Sequence, residues 1–249
     1  MTIDKAIILS AGKGSRLYPH TEDRPKCLLD ISGRTLLEWQ LDMLHASGIA
    51  EMVVVTGFHH DLVAQVIAKR GQERGRVELL FNPFYQVADN LGSVWLARHH
   101  LGGDALLLNG DTLISRPLID RVLNDGTAPI TVTVDRKEEY DADDMKVLRE
   151  GDRLLRIGKA LPADQCNAES IGLLAFRGPG AATFVAAVEA MMTTAEGTRS
   201  WYLSVIDQLA DSGVVGTVLI EGCDWAEVDY PADLDTARHL AAKWVAEGW

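Results

Sequence analysis

Positive charge is scarce in this chain: 24 lysines and arginines face 36 aspartates and glutamates, a formal net charge of −12. A surface that negative repels polyanions, because nucleic-acid binding depends on cationic neutralisation of phosphates. Any nucleotide handled here is therefore expected to be a small one held in a local basic island, and no nucleic-acid partner is expected. Cysteine is scarce too. Cys27, Cys166 and Cys223 lie far apart with no C-x-x-C pair, which excludes a disulfide framework and a zinc spacing. No apolar run approaches the ~20 residues of a membrane span. The residues after Met1 lead into a short apolar strand without the apolar stretch of a signal peptide. The expectation is a reduced, cytoplasmic protein without a membrane partner.

What the chain does have is an ordinary globular balance, 47% hydrophobic and 24% charged over 249 residues, enough for one sizeable core. Its first half alternates short apolar runs with helical patterns. Lys5–Ser10 (KAIILS) predicts a buried strand running into a glycine-rich loop. Thr35 with Glu38 makes a capping box for a helix that carries Leu37, Leu41 and Leu44 and stops at Gly48. Strands are predicted over 52–56, 77–81 and 105–108, with helices from a cap at Asp61 to Arg70 and over 93–101. Strands alternating with helices imply parallel crossovers, and ligands in such sheets sit beyond the carboxyl ends of the strands. The second half reads as strands over 130–135 and 171–176, a hairpin around Gly151-Asp152, an Ala-rich helix after Gly180, and a last helix from about Pro231. No linker or repeat divides the chain. Residues 1–249 are expected to form one domain, with a nucleotide-binding half over 1–115 and an acceptor-binding half over 116–249.

Two segments carry chemistry. Leu9–Lys26 (LSAGKGSRLYPHTEDRPK) places small residues and glycines after a strand, where backbone N–H groups can approach a triphosphate unhindered. Lys13, Arg16, Arg24 and Lys26 there outweigh Glu22 and Asp23. Gly12-x-Gly14 lacks the third glycine of a dinucleotide fingerprint, and Lys13 does not fit the Walker spacing. The second segment, Leu106–Asp111 (LLLNGD), puts Asp111 at the tip of a buried strand. That position suits Mg²⁺, which prefers carboxylate and phosphate oxygens, and equally suits a turn or helix-capping aspartate.

Ala11 through Lys26 resembles the signature A-G-x-G-x-R-x-x-P-x-T-x-x-x-P-K of the nucleotidyltransferases that activate sugar phosphates, phosphocholine and related alcohol phosphates, with every fixed position occupied. The resemblance implies a three-layer α/β/α fold with a mixed, mainly parallel sheet and a small β-rich acceptor lobe. It implies a nucleotide site at Leu9, Ala11, Gly12, Gly14 and Gly110, with Arg16 neutralising the leaving pyrophosphate and Lys26 on the α-phosphate side. It also implies two Mg²⁺ carboxylates: Asp111 in the Gly-Asp pair, and Asp229 at the end of Trp225-Ala226-Glu227-Val228-Asp229. Asp229 could instead cap the last helix.

Asn90 and Ser93 fall where cytidylyltransferases of this group have a turn before a helix, and offer hydrogen bonds for a pyrimidine edge, although Ser93 also suits a helix cap. Asp135, Arg136, Lys146, Lys159 and Glu169 lie in stretches similar to the acceptor region of phosphocholine, aminoethylphosphonate and inositol-phosphate cytidylyltransferases. Lys146 and Lys159 are the candidates for the acceptor phosphate. Glu169, Asp144, Trp201, Tyr202 and Trp225 are candidates for a pocket that takes an amine. His45, His59, His60, His99, His100 and His239 read as surface residues.

The favoured expectation is CTP-dependent CMP transfer to a small alcohol phosphate or phosphonate, with pyrophosphate released. A hexose-1-phosphate nucleotidylyltransferase using UTP, dTTP or GTP is the nearest rival, although those chains usually run longer. A non-catalytic nucleotide sensor predicts a lost carboxylate or lost Lys26, and a metal-dependent glycosyltransferase wants an Asp-x-Asp that Asp111-Thr112-Leu113 lacks. The assembly stays open between monomer and homodimer.

Overall fold

KAIILS forms strand β1 (Lys5–Ser10) in the computed structural model, which describes residues 2–249. Its side chains alternate between two cores: Ala6 and Ile8 join one cluster and Ile7 the other, all fully buried. A strand covered on both faces needs apolar residues at successive positions, so no polar alternation shows in its sequence. Removing either isoleucine side chain to alanine belongs to the class of core truncations that cost roughly 2–5 kcal/mol.

The remaining elements follow in chain order as β2 (Asp30–Ile31), β3 (Arg34–Thr35), α1 (Leu36–Ala46), β4 (Glu51–Thr56), α2 (His60–Lys69), β5 (Arg76–Phe81), α3 (Asn90–Ala97), β6 (Ala105–Asn109) and β7 (Thr112–Ile114). The second half comprises α4 (Arg116–Asp125), β8 (Ile130–Asp135), β9 (Lys146–Glu150), β10 (Arg153–Ile157), β11 (Ala168–Phe176), α5 (Gly180–Met192), α6 (Tyr202–Ala210), β12 (Val215–Leu219), β13 (Trp225–Glu227) and α7 (Pro231–Ala246). Helices α1, α4 and α7 supply the cluster on one face of the sheet, and α3, α5 and α6 the cluster on the other. The result is a three-layer α/β/α sandwich.

The main sheet runs β5-β4-β1-β6-β11-β8-β12-β10-β9. Its first four strands are parallel, as the crossovers require. From β11 onward the pairing is antiparallel except between β8 and β12. The first half of β11 also pairs with β9, so β11, β8, β12, β10 and β9 close into a ring and form the β-rich lobe. Gly172 makes this possible. Its φ of +77° breaks the register between Ser170 and Leu174, and a Cβ there would stand 2.3 Å from Asn109 Nδ2.

Three element starts differ from the sequence expectation by more than one residue. β11 begins at Ala168 rather than Ile171, because the bulge at Gly172 joins two short pairings into one strand. α2 starts at His60 with His59 as its cap in the left-handed region, and Asp61 sits inside the first turn. α3 starts at Asn90, so Ser93 lies within the helix and caps nothing. A glycine in that first turn, Gly92, weakens the helical pattern where the helix begins.

Candidate active site

The glycine loop is fixed from below and from the side. Leu17 is fully buried under it, and Thr21 Oγ1 donates to the Gly14 carbonyl at 2.8 Å, which gives the threonine of the motif a structural task. Gly14 takes a φ of +72°, and a Cβ there would lie 2.8 Å from Lys26 Cβ. Only glycine lets the loop and the lysine stem pass this closely. Pro25 leads into a single 3₁₀ turn over Lys26–Leu28 that aims Lys26 back across the loop.

Asp111 and Asp229 meet through the small sheet of β7 and β13. The register Glu227↔Thr112, continued by the Val228 N–H donating to the Asp111 carbonyl at 2.9 Å, sets the two segments side by side. Gln40, fully buried on α1, donates to the carbonyls of Asn109 (2.9 Å) and Thr112 (2.8 Å), clamping the turn that carries Asp111. Asp111 lies in that turn and caps no helix. Asp229 is not a cap either: Tyr230 is the N-cap of α7, and the Asp233 carboxylate accepts from the N–H groups of Asp229 and Tyr230.

Lys26 Nζ donates to Asp111 Oδ2 at 2.7 Å and to Asp229 Oδ1 at 2.5 Å, and Arg16 donates to Asp229 Oδ2 at 3.0 Å. Burial works against the Lys26 ammonium, but attraction to both aspartates more than offsets it, so its pKa is raised. Arg16 follows the same logic: burial opposes its charge, and Asp229 leads the groups that raise its pKa.

Glu227 completes the acidic group. One carboxylate oxygen from each of Asp111, Glu227 and Asp229 lies within 4.8 Å of the others. Glu227 is exposed as a residue, yet the desolvation of its carboxyl among the surrounding groups, and then repulsion from Asp111 and Asp229, pushes that carboxyl up to about 8. The sequence reading quoted Glu227 without giving it a role. The signal was available, since residues two apart at a strand end face the same way. An all-oxygen donor set with a buried, unpartnered Asp111 Oδ1 fits a hard divalent cation.

Two connected cavities open around this group. The inner, about 270 Å³, is walled by Leu9, Ala11, Gly12, Gly14, Lys26, Asn90, Ser93, Gly110 and Asp111, so it gathers every residue expected at the nucleotide site. The Ser93 hydroxyl accepts from Asn82 Nδ2 at 3.0 Å, and the side-chain Oδ1 of Asn90 accepts the Tyr202 N–H at 3.0 Å. The outer cavity, about 480 Å³, shares Lys26 and Asp111 and continues past Arg16, Glu227 and Asp229 to Asp143, Lys159 and Trp201.

The acceptor candidates divide. Lys159 lines the outer cavity, 3.7 Å from Asp143 and above the Trp201 ring. Lys146 does not line it: only 3% exposed, its ammonium donates to the Asp141 carbonyl at 2.6 Å and holds the adjoining loop. Glu169 is likewise withdrawn into an ion pair with Lys137 at 3.2 Å. Burial pushes its carboxyl up to about 7 against the opposing pull of Lys137. Asp135 accepts from Trp225 Nε1 at 2.7 Å, and Arg136 is exposed outside both cavities.

The expected amine pocket does not assemble. Tyr202 is fully buried with its hydroxyl on Asn109 Oδ1, Trp225 is tied to Asp135, and Asp144 binds Lys137. Trp201 alone of that set reaches the cavity. Beside the cavity but not lining it, the exposed Tyr230 donates its hydroxyl to Asp143 at 2.7 Å while Arg16 lies over its ring. Of the histidines, His45, His99 and His239 are exposed, whereas His59, His60 and His100 are half-buried and His60 bonds Thr56 at 2.7 Å.

A glycine loop beyond the carboxyl edge of a parallel sheet, set against clustered carboxylates, is the arrangement of α/β proteins that handle nucleotide phosphates. The chain belongs to the MobA-like NTP transferase domain family, whose model matches residues 6–147. It is 34% identical over 119 residues to the CMP-5'-(3-aminopropyl)phosphonate synthase of Streptomyces rubellomurinus, a match covering 47% of this chain and 19% of that protein. It is 33% identical over 103 residues to the choline-phosphate cytidylyltransferase of Streptococcus pneumoniae, covering 41% of this chain and 43% of that protein. The matches thus span less than half the length of either curated relative. The inositol-1-phosphate CTP transferase of T. maritima superposes with a TM-score of 0.82 over 98% of this chain and 96% of that one, at 23% identity, which establishes a common fold. Among the described residues no helix is long and apolar enough to cross a membrane.

Proposed function

We propose that this nucleotidyltransferase is a Mg²⁺-dependent cytidylyltransferase that moves CMP from CTP to a small phosphorylated or phosphonylated acceptor and releases pyrophosphate. The observation that carries the reading is the position of Lys26, between Asp111 and Asp229 at the junction of the two cavities. A group there can address an α-phosphate reached from one side by the nucleotide and from the other by the acceptor. The cytidylyl and small-acceptor choices are supported by what the two curated relatives are named for.

In this reading an acceptor phosphate oxygen attacks the α-phosphorus, the bond from that phosphorus to the bridging oxygen of the β-phosphate breaks, and pyrophosphate leaves with the electron pair. The acceptor oxygen is already anionic, so the residues need not remove a proton. Their task is alignment and offsetting of charge. The loop from Ala11 to Gly14 presents backbone N–H groups to the triphosphate, and Arg16 stands where the leaving pyrophosphate gains charge. Lys26 stabilises the α-phosphoryl oxygens, and Lys159 draws the acceptor phosphate into the outer cavity. Asn90 and Ser93 border the space for the base. Asp111 and Asp229, with Glu227 beside them, would hold the Mg²⁺. Bound there, Mg²⁺ supplies Lewis-acid neutralisation of the phosphate oxygens.

The test offers CTP, UTP, GTP and ATP with Mg²⁺ in turn beside phosphocholine, 2-aminoethylphosphonate, inositol 1-phosphate and glucose 1-phosphate, and follows pyrophosphate. Release with CTP and one of the first three acceptors is expected. Release only with glucose 1-phosphate would replace the acceptor class, and release with none would remove the reading.

A further inference from the structure

The ammonium of Lys26 does more than stand near the carboxylates; it fills the gap between them. It takes Asp111 Oδ2 and Asp229 Oδ1 together, while Arg16 holds the other oxygen of Asp229. A divalent ion held by both aspartates would compete for the same oxygens, and an ammonium left beside it would be strongly repelled. The lysine cannot simply withdraw either. Its side chain is only 14% exposed, and a charge moved off its partners into such surroundings is costly. It needs an anion to move to. The stem of Lys26 already runs along Gly14 in the glycine loop, so a phosphate held by that loop is the anion closest to hand.

We infer that Lys26 is a built-in counter-cation that keeps the carboxylate pair closed to free divalent metal, so that the site accepts the metal only together with a nucleotide whose phosphate takes over the ammonium. The inference rests on the proposed nucleotidyl transfer and deepens it. It names the metal–nucleotide pair, and not free metal followed by nucleotide, as the ligand this site takes. The exchange keeps local charge compensated at each stage: one positive charge leaves the carboxylates as two arrive, and the surplus is matched by the phosphates.

The test uses Mn²⁺ alone, read by the electron paramagnetic resonance signal of the free ion, on the full chain without nucleotide. Wild type is expected to bind it weakly. Lys26→Met is expected to bind it at least about tenfold more tightly, because a repelling charge has been removed from the carboxylates. Lys26→Arg keeps the charge and should stay as weak as wild type, and Lys26→Met/Asp229→Asn should lose the gain. A Lys26→Met chain that binds Mn²⁺ no more tightly than wild type overturns the inference. Wild-type thermal stability decides independently of whether that variant folds. Mn²⁺ alone should leave Tm in place, and Mn²⁺ with CTP should raise it; a clear rise with Mn²⁺ alone overturns the inference. The function fails separately. A chain inactive with every substrate pair but showing the Lys26→Met gain loses the proposed reaction and keeps the counter-cation, and an active chain without the gain loses only the counter-cation.

Discussion

At the scale of single residues, Lys146 at the start of β9 and Lys159 in the turn after β10 show how similar side chains come to different uses. Lys159 faces the outer cavity beside Asp143, whereas Lys146 is buried against loop carbonyls. Replacing Lys159 by alanine is expected to raise the acceptor KM about tenfold, the scale of one charge-assisted contact, with little change in stability. Lys146→Met should leave that KM within about twofold and cost roughly 1–3 kcal/mol in urea unfolding, as expected when buried acceptors lose their donor. Steady-state kinetics and denaturation on the two variants separate these outcomes. Glu169 makes a pH prediction. Its folded carboxyl is pushed up to about 7 from an ordinary value of 4.5. Between those values the folded chain keeps a proton that the unfolded chain has lost, so the contribution of this residue to stability falls as pH rises through that window. Glu169→Gln removes the effect, and its stability relative to wild type should climb by roughly 1–3 kcal/mol from pH 4.5 to 8. Parallel stability curves for the two proteins would contradict this assignment.

At the scale of elements, what was legible was local. The capping box of Thr35 and Glu38 forms as read, with both reciprocal hydrogen bonds, because its partners are three residues apart. β1 was legible because burial on both faces writes itself as a continuous apolar run. The bulge in β11 was not, since Gly172 bends the strand in response to Asn109, 63 positions away by the difference of the two residue numbers. Gly172→Ala is expected to destabilise by roughly 1–3 kcal/mol, because alanine at that φ is strained and its Cβ would push Asn109 off Tyr202. A change under about 0.5 kcal/mol in urea unfolding would show that the lobe does not depend on this bend. The β7–β13 pairing was hidden for the same reason. Nothing in the local period of Trp225–Glu227 announces that its partner is Thr112–Ile114.

At the scale of the whole molecule, the residues expected around the nucleotide come together in space, because a glycine loop is one contiguous segment lying beyond one strand. All seven residues expected around the nucleotide wall a single cavity. The outer cavity is assembled from the loop before β9, the turn after β10, the bulge in β11, the start of α6 and the residues from β13 to α7, each arriving from a different part of the chain. Register and loop conformation decide which of their side chains reach the cavity, and neither is written locally. That is why, of the residues expected at the acceptor, Lys159 lines the cavity while Lys146, Glu169, Asp135 and Arg136 do not, and why the local pattern does not single out Asp143. The chain is strongly acidic as a whole, yet Lys26 and Arg16 face the acidic group at its centre, so the site carries its own local balance of charge.

The most direct test of the central claim compares wild type with Asp111→Asn and Asp229→Asn on whichever substrate pair releases pyrophosphate. Each variant keeps its shape and loses one negative charge from the group that Lys26 bridges. The expected result is a fall in kcat of about 10²–10³-fold for both, the scale of losing one preorganised electrostatic group, with Tm within a few degrees of wild type. Transfer within a few fold of wild type in either variant would mean that the chemistry happens elsewhere.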